Sequence, residues 1–187
     1  LRNMMYTFQL EEVQNMKMAF SIRYPRGEGV MPAWRTNFEE IEIGKGVQLV
    51  EGEEIAILSI GHIGNEAIAA CEMARAQGLK PALFDMRFVK PLDEELLHRV
   101  FTQFKKVITV EDAAIQGGFG SAIAEFMVDH HYNAQLIRLG IADEIIEHGE
   151  QKELYALCGI DANGILAKIQ ANTIPVPAKN NPKALVS

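Results

Sequence analysis

Glu111 and Asp112, two adjacent carboxylates, stand just ahead of a glycine cluster, Gly117, Gly118 and Gly120. Paired carboxylates do acid–base work when they share a proton, and a glycine loop opening a helix can cradle an anion with its backbone N–H groups. Both ideas meet limits in the sequence itself. Successive residues of an extended strand face opposite ways, so Glu111 and Asp112 are not expected to share one proton. The cluster lacks the GxGxxG order, and no phosphate-loop Lys-Ser/Thr follows it, so a tight turn into a helix competes with an anion site.

A second candidate lies near the start, where Arg23 and Arg26 flank Tyr24-Pro25. Guanidinium groups suit bidentate capture of phosphate or carboxylate, although a surface arginine paired with an acidic neighbour fits the same residues. The five histidines show no ligand spacing such as HExxH, and His130-His131 close a helix, where a cation favours the dipole. Cys71 and Cys158 have no Cys/His cluster around them and read as free thiols in a reducing compartment. No nucleophile with an attendant base stands out.

These residues need elements to position them. Val107–Val110 is a short β-branched run expected as a buried parallel strand, and Ser121–Phe126 has helical spacing. Ile55–Ile60, Pro81–Met86 and Ala134–Leu139 read as further strands, and Ile43–Val50 as an edge strand antiparallel to Ile55–Ile60 across a tight turn. Helices are expected from Gly64 to about Gln77, after Asp93 as N-cap, over Glu150–Leu157 and from Asp161 to about Gln170, with Gly78 and Gly159 as stops. The alternation gives an α/β fold: a doubly wound, mostly parallel sheet of about five strands with one antiparallel edge strand. Upstream, Leu1, Met4, Met5 and Phe8 mark a helical stripe, and Met18–Tyr24 reads as a strand. The stripe has no capping residue before it and the chain opens on Leu, so a piece of a longer polypeptide is expected.

The 187 residues carry a net charge of −7 and are 48% hydrophobic, an ordinary globular composition that argues against non-specific binding to nucleic acid or an anionic membrane. No apolar run approaches the roughly 20 residues of a membrane-spanning helix. Glu28–Asn37 fits a linker, and Thr173–Ser187, with three prolines and no period, a tail or strap.

Four stretches fall in the order found in the 1-deoxy-D-xylulose-5-phosphate synthase family of the transketolase superfamily. They are RYPRG (23–27), DMRFVKPLDEELL (85–97), VEDAAIQGGFGSA (110–122) and RLGIADEIIEHG (138–149). The chain resembles the C-terminal part of such an enzyme over residues 1 to 170. The resemblance implies the end of a pyrimidine-binding domain plus linker at 1–37, a transketolase C-terminal-like domain at 38–170 and a flexible tail at 171–187. It also implies a parent that uses thiamine diphosphate and Mg²⁺ to join pyruvate to D-glyceraldehyde 3-phosphate with loss of CO₂. That product feeds isoprenoid precursors and thiamine and pyridoxal biosynthesis, and the parent is a cytoplasmic homodimer with no nucleic-acid or membrane partner. Of the family's site, only Arg26 carries over, as a contact to the acceptor's phosphate. No catalytic or metal-binding residue carries over, so the chain alone is expected to bind no cofactor and to be inactive. Two other readings stay open: a 2-oxo-acid dehydrogenase β-subunit, and a non-catalytic dimerisation module with an anion loop at Gly117–Gly120.

Overall fold

The computed structural model describes residues 1–17, 19–24 and 36–173. Five strands form one sheet in the order β1-β3-β2-β4-β5: β1 (Val47–Val50), β2 (Ile55–Ile60), β3 (Pro81–Asp85), β4 (Lys106–Ala114) and β5 (Gln135–Ile141). β2, β3, β4 and β5 are parallel, and β1 is the antiparallel edge. The helices between them, α3 (Gly64–Ala76), α4 (Glu94–Gln103) and α5 (Phe119–Asp129), are followed by α6 (Gln151–Cys158) and α7 (Ala162–Thr173). The doubly wound, mostly parallel sheet expected from the sequence is the observed one.

Strand pleating divides the core into two layers. Ile55, Ile57, Ile108 and Val110 point to one face, where Ala67, Ala70, Cys71 and Ala74 of α3 and Ile165, Leu166 and Ile169 of α7 cover them. Ala56, Leu58 and Val107 point to the other, beneath Leu97, Val100 and Phe101 of α4 and Ile123 and Phe126 of α5. Helix punctuation matches the expected residues. The Asp93 carboxylate caps α4 by accepting from the Leu96 N–H at 3.0 Å, and its second oxygen accepts from the Gly46 N–H at 3.0 Å. Gly78 and Gly159 follow α3 and α6 with φ of 83° and 66°, values that favour glycine.

Two expectations are corrected. β1 pairs with β3, not β2, and covers only Val47–Val50 of the expected 43–50. Skipping one strand means crossing about 9.6 Å, twice the strand spacing, and the steps from Val50 to Ile55 reach about 17 Å when extended. The intervening residues therefore need not turn tightly. They pass over the start of β3, where Glu53 N–H donates to the Lys80 carbonyl at 3.0 Å. A Cβ at Gly52 would collide with the Pro81 and Ala82 backbone, so only glycine lets the connection lie this close. The second correction concerns Met18–Tyr24: residues 19–24 form no strand, and Met18 lies outside the described residues. A strand needs a ladder partner, and no described residue pairs with this segment.

The first residues form two short helices, α1 (Arg2–Thr7) and α2 (Glu11–Asn15). The buried Thr7 hydroxyl accepts from the Ile41 N–H at 2.7 Å, and the Arg2 guanidinium lies 4.1 Å from the Phe38 ring centre. These contacts tie α1 to the chain entering the sheet.

Candidate functional site at the carboxyl edge of the sheet

β2 is followed by α3 on one face of the sheet, whereas β4 is followed by α5 on the other. The crevice outside the carboxyl ends of these two neighbours is the topological switch point, where open α/β sheets take ligands. β2 delivers His62 there through a 3-10 turn, Gly61–Ile63, and β4 delivers Glu111 and Asp112.

Pleating separates the two carboxylates as the sequence predicts. Val107, Thr109 and Glu111 share the α5 face, while Ile108, Val110 and Asp112 share the α3 face. Glu111 is 1% exposed, and its two oxygens accept from the N–H groups of Phe119 and Gly120, each at 2.7 Å. These are the first amides of α5, so the carboxylate sits on the positive end of the helix dipole. The glycines make this possible. A Cβ on Gly118 would run into the Glu111 carboxylate, and one on Gly120 would sit 2.6 Å from Thr109 Oγ1. The loop does cradle an anion, and the anion is the chain's own Glu111. Neither a bare tight turn nor an open phosphate site describes it.

Arg138 of β5 closes the outer side of the loop. Its guanidinium donates to the Ile115 carbonyl at 3.0 Å and to the Ser121 hydroxyl at 2.9 Å, and Ser121 Oγ in turn accepts from the Gly117 N–H at 3.0 Å. Two of the four recognised motifs, 110–122 and 138–149, thus meet across β4 and β5.

Asp112 belongs to a different group. Its carboxylate accepts from the Tyr155 hydroxyl of α6 at 2.8 Å and lies 3.4 Å from His62 Nε2. His62 Nε2 also contacts the Tyr155 hydroxyl, and Gln151 Nε2 donates to that oxygen at 2.9 Å. A phenol has one proton to give and two lone pairs, so this hydroxyl is saturated. Burial and the acceptor carboxylate of Asp112 hold the Tyr155 phenol well above its ordinary pKa. The sequence reading missed this group because its members lie far apart in the chain. Position after a strand end was the available signal for His62 and Asp112, and nothing marked Tyr155.

The other sequence candidates are dispersed. Arg23 and Tyr24 are exposed, and Arg26 lies outside the described residues. His98 Nδ1 pairs with the Tyr132 hydroxyl at 2.7 Å, and its ring packs on His130 and Phe126 away from the crevice. Cys71 is buried and Cys158 half-buried, both free, and burial pushes the Cys71 thiol up to about 11. Among the described residues no three His, Cys, Asp or Glu stand together to hold a metal, and no helix is long and apolar enough to cross a membrane. The leading amides of α5, which could have met a diphosphate, are taken by Glu111, so the described residues do not fit thiamine diphosphate with its metal.

Residues 44–165, the sheet with its helices, match the family model described as transketolase, C-terminal domain. The chain belongs to that family. It is similar to the 1-deoxy-D-xylulose-5-phosphate synthase of Cytophaga hutchinsonii, 61% identical over 170 residues, covering 91% of this chain and 26% of the relative. The synthase of Bacteroides thetaiotaomicron is 46% identical over 182 residues, covering 96% and 28%. The chain thus spans about a quarter of the length of these relatives. Among solved structures, a split-gene transketolase described as an inactive β4 tetramer superposes with a TM-score of 0.65 at 30% identity, covering 72% of this chain and 43% of that one. A Pichia stipitis transketolase mutant shares the fold at 18% identity and a TM-score of 0.51, covering 70% and 18%. The synthase resemblance carried by the four motifs is borne out across most of the transketolase C-terminal domain and the residues before it.

Proposed function

We propose that this chain is the C-terminal part of a 1-deoxy-D-xylulose-5-phosphate synthase. The parent would be a thiamine-diphosphate- and Mg²⁺-dependent transferase that condenses pyruvate with D-glyceraldehyde 3-phosphate and releases CO₂. The observation that carries the reading is the 61% identity to a synthase over 170 residues, with all four motifs inside the aligned length. Residues 1–37 are read as the end of the pyrimidine-binding domain plus linker, 38–170 as the C-terminal domain and 171–187 as a tail. Arg26 is assigned to the acceptor's phosphate, because a guanidinium grips a phosphate through two parallel hydrogen bonds. The parent is read as a cytoplasmic homodimer.

What the described residues supply is a scaffold. The Glu111 cap, the Arg138 clasp and Asp93 fix the loops at the carboxyl edge, and none of these groups is free to touch substrate. The chain by itself is therefore expected to turn over no pyruvate and to bind no thiamine diphosphate, since the cofactor's electrostatic setting must be assembled around it. An assay of the purified chain with both substrates, the cofactor and Mg²⁺ tests this, and product formation overturns it.

The family assignment is tested by a chimera in which residues 1–173 replace the matched stretch of the Cytophaga hutchinsonii synthase. The chimera should form 1-deoxy-D-xylulose 5-phosphate. Arg26→Ala in it should raise KM for glyceraldehyde 3-phosphate at least tenfold, about 1.4 kcal/mol of binding, with KM for pyruvate little changed. A folded but inactive chimera sinks the synthase reading and returns weight to the dehydrogenase β-subunit. The anion-binding module is not retained, because Glu111 already occupies the loop.

A further inference from the structure

We propose that α6 is a separately opening flap over the switch-point crevice, latched by the Tyr155 hydroxyl. α6 has one buried side chain, Tyr155, with Leu154 and Cys158 half-buried and Cys158 packed against the core, while Gln151, Lys152, Glu153, Ala156 and Leu157 are exposed. The connection before it, 142–150, is exposed at every residue except the half-buried Ile146. Behind it stands Gly159 in the left-handed region, its side-chain direction open to solvent and its backbone close against Gly164 of α7. The helix is thus a short element with an exposed approach on one side, a glycine on the other and one buried side chain to hold it.

The anchor is polar at its tip. Tyr155 reaches between the ends of β2 and β4 and places its hydroxyl on Asp112 and His62, which come from the two strands that define the switch point. Asp112 and His62 are each about a quarter exposed, so the crevice opens to solvent at its rim. When the phenol withdraws, water replaces its bonds to both groups, and neither is left stranded as Glu111 would be. Segments joined by few buried contacts open at lower free energy than the global fold, and this one meets that description. The space that opens is lined by an imidazole, a carboxylate and the α3 entry turn, where Asn65 Nδ2 donates to the His62 carbonyl at 3.0 Å.

The test is amide hydrogen exchange on the 187-residue chain, comparing peptides across 142–158 with those across β2 and β4. Tyr155→Phe keeps the ring and removes the latch. It should speed exchange in 142–158 about tenfold, the factor expected for one lost bond to a charged acceptor, with β2 and β4 unchanged. Asp112→Asn keeps an acceptor without its charge and should give a smaller rise in the same peptides. Tyr132→Phe removes the other tyrosine–histidine bond, on His98, and should leave 142–158 unchanged. Unchanged exchange in Tyr155→Phe overturns the latch. An equal rise in all peptides overturns it too, because α6 would then open only with the whole fold.

Discussion

Glu111 and Asp112 are chain neighbours, yet they serve two regions with opposite characters. Glu111 is sealed at 1% exposure against the first amides of α5, while Asp112 stands in a crevice open to water and accepts from the Tyr155 hydroxyl, which also contacts His62. The first region is closed by the chain's own groups: both Glu111 oxygens meet α5 amides, and Arg138 and Ser121 hold the loop from outside. The second is held by Tyr155, the one buried side chain of its helix. A single step along a strand therefore separates a structural keystone from an accessible site, because pleating sends consecutive side chains to different layers.

The sharpest way to break this contrast is to remove the sealed carboxylate. Glu111→Ala leaves two buried amides without acceptors, at about 1–3 kcal/mol each, so the fold should lose about 3 kcal/mol. For a chain of this size that lowers Tm by about 6–12 °C in a thermal melt. Asp112→Ala at the exposed crevice should cost less than half as much. Equal losses in the two variants would dissolve the distinction between the regions.

This contrast explains what the sequence made visible. Strand runs such as Ile55–Ile60, and caps such as Asp93 and Gly159, are local signals and were readable, as was the opposite facing of Glu111 and Asp112. The β1–β3 pairing was hidden, because strand order depends on where a connection crosses, and Gly52 reveals that only once Pro81 and Ala82 are seen beneath it. The glycine loop looked empty in sequence because the carboxylate that fills it precedes it by several residues on the strand. The His62–Asp112–Tyr155 group was invisible since Tyr155 arrives from α6, with no periodic or motif signal to mark it.

A second contrast appears at alkaline pH, where two groups of the layer on the α3 side, Cys71 and Tyr155, titrate. Cys71 is held up to about 11 by burial, and Tyr155 is raised by burial and by Asp112. Both groups keep protons in the folded chain that the unfolded chain releases, so stability is complete below pH 9 and falls as pH rises above it. A two-unit rise at Cys71 corresponds to about 2–3 kcal/mol lost by pH 11. Urea titrations from pH 8 to 11.5 should show the slope begin near 9 and steepen above 10. Cys71→Ala should flatten the early part and Tyr155→Phe the later part. A slope that survives both Cys71 and Tyr155 variants would assign the alkaline loss elsewhere.

The smallest effect probes the one place where the sealed region is imperfect. Thr109 Oγ1 is fully buried on the α5 face of β4 and has no hydrogen-bond partner among the described residues. It lies beneath Gly120 and beside the aliphatic stem of Arg138, two residues before Glu111 on the same face. An unpaired buried hydroxyl carries its desolvation cost without return, and valine has nearly the same shape with no polar group to desolvate. Thr109→Val should therefore raise stability by about 1 kcal/mol, seen as a Tm rise of about 2–4 °C. The same substitution leaves the Phe119 and Gly120 amides on Glu111, so exchange at those two amides should slow in proportion to the global gain. A loss of stability would mean that the Thr109 hydroxyl has a partner, and that the loop depends on it as it depends on Glu111.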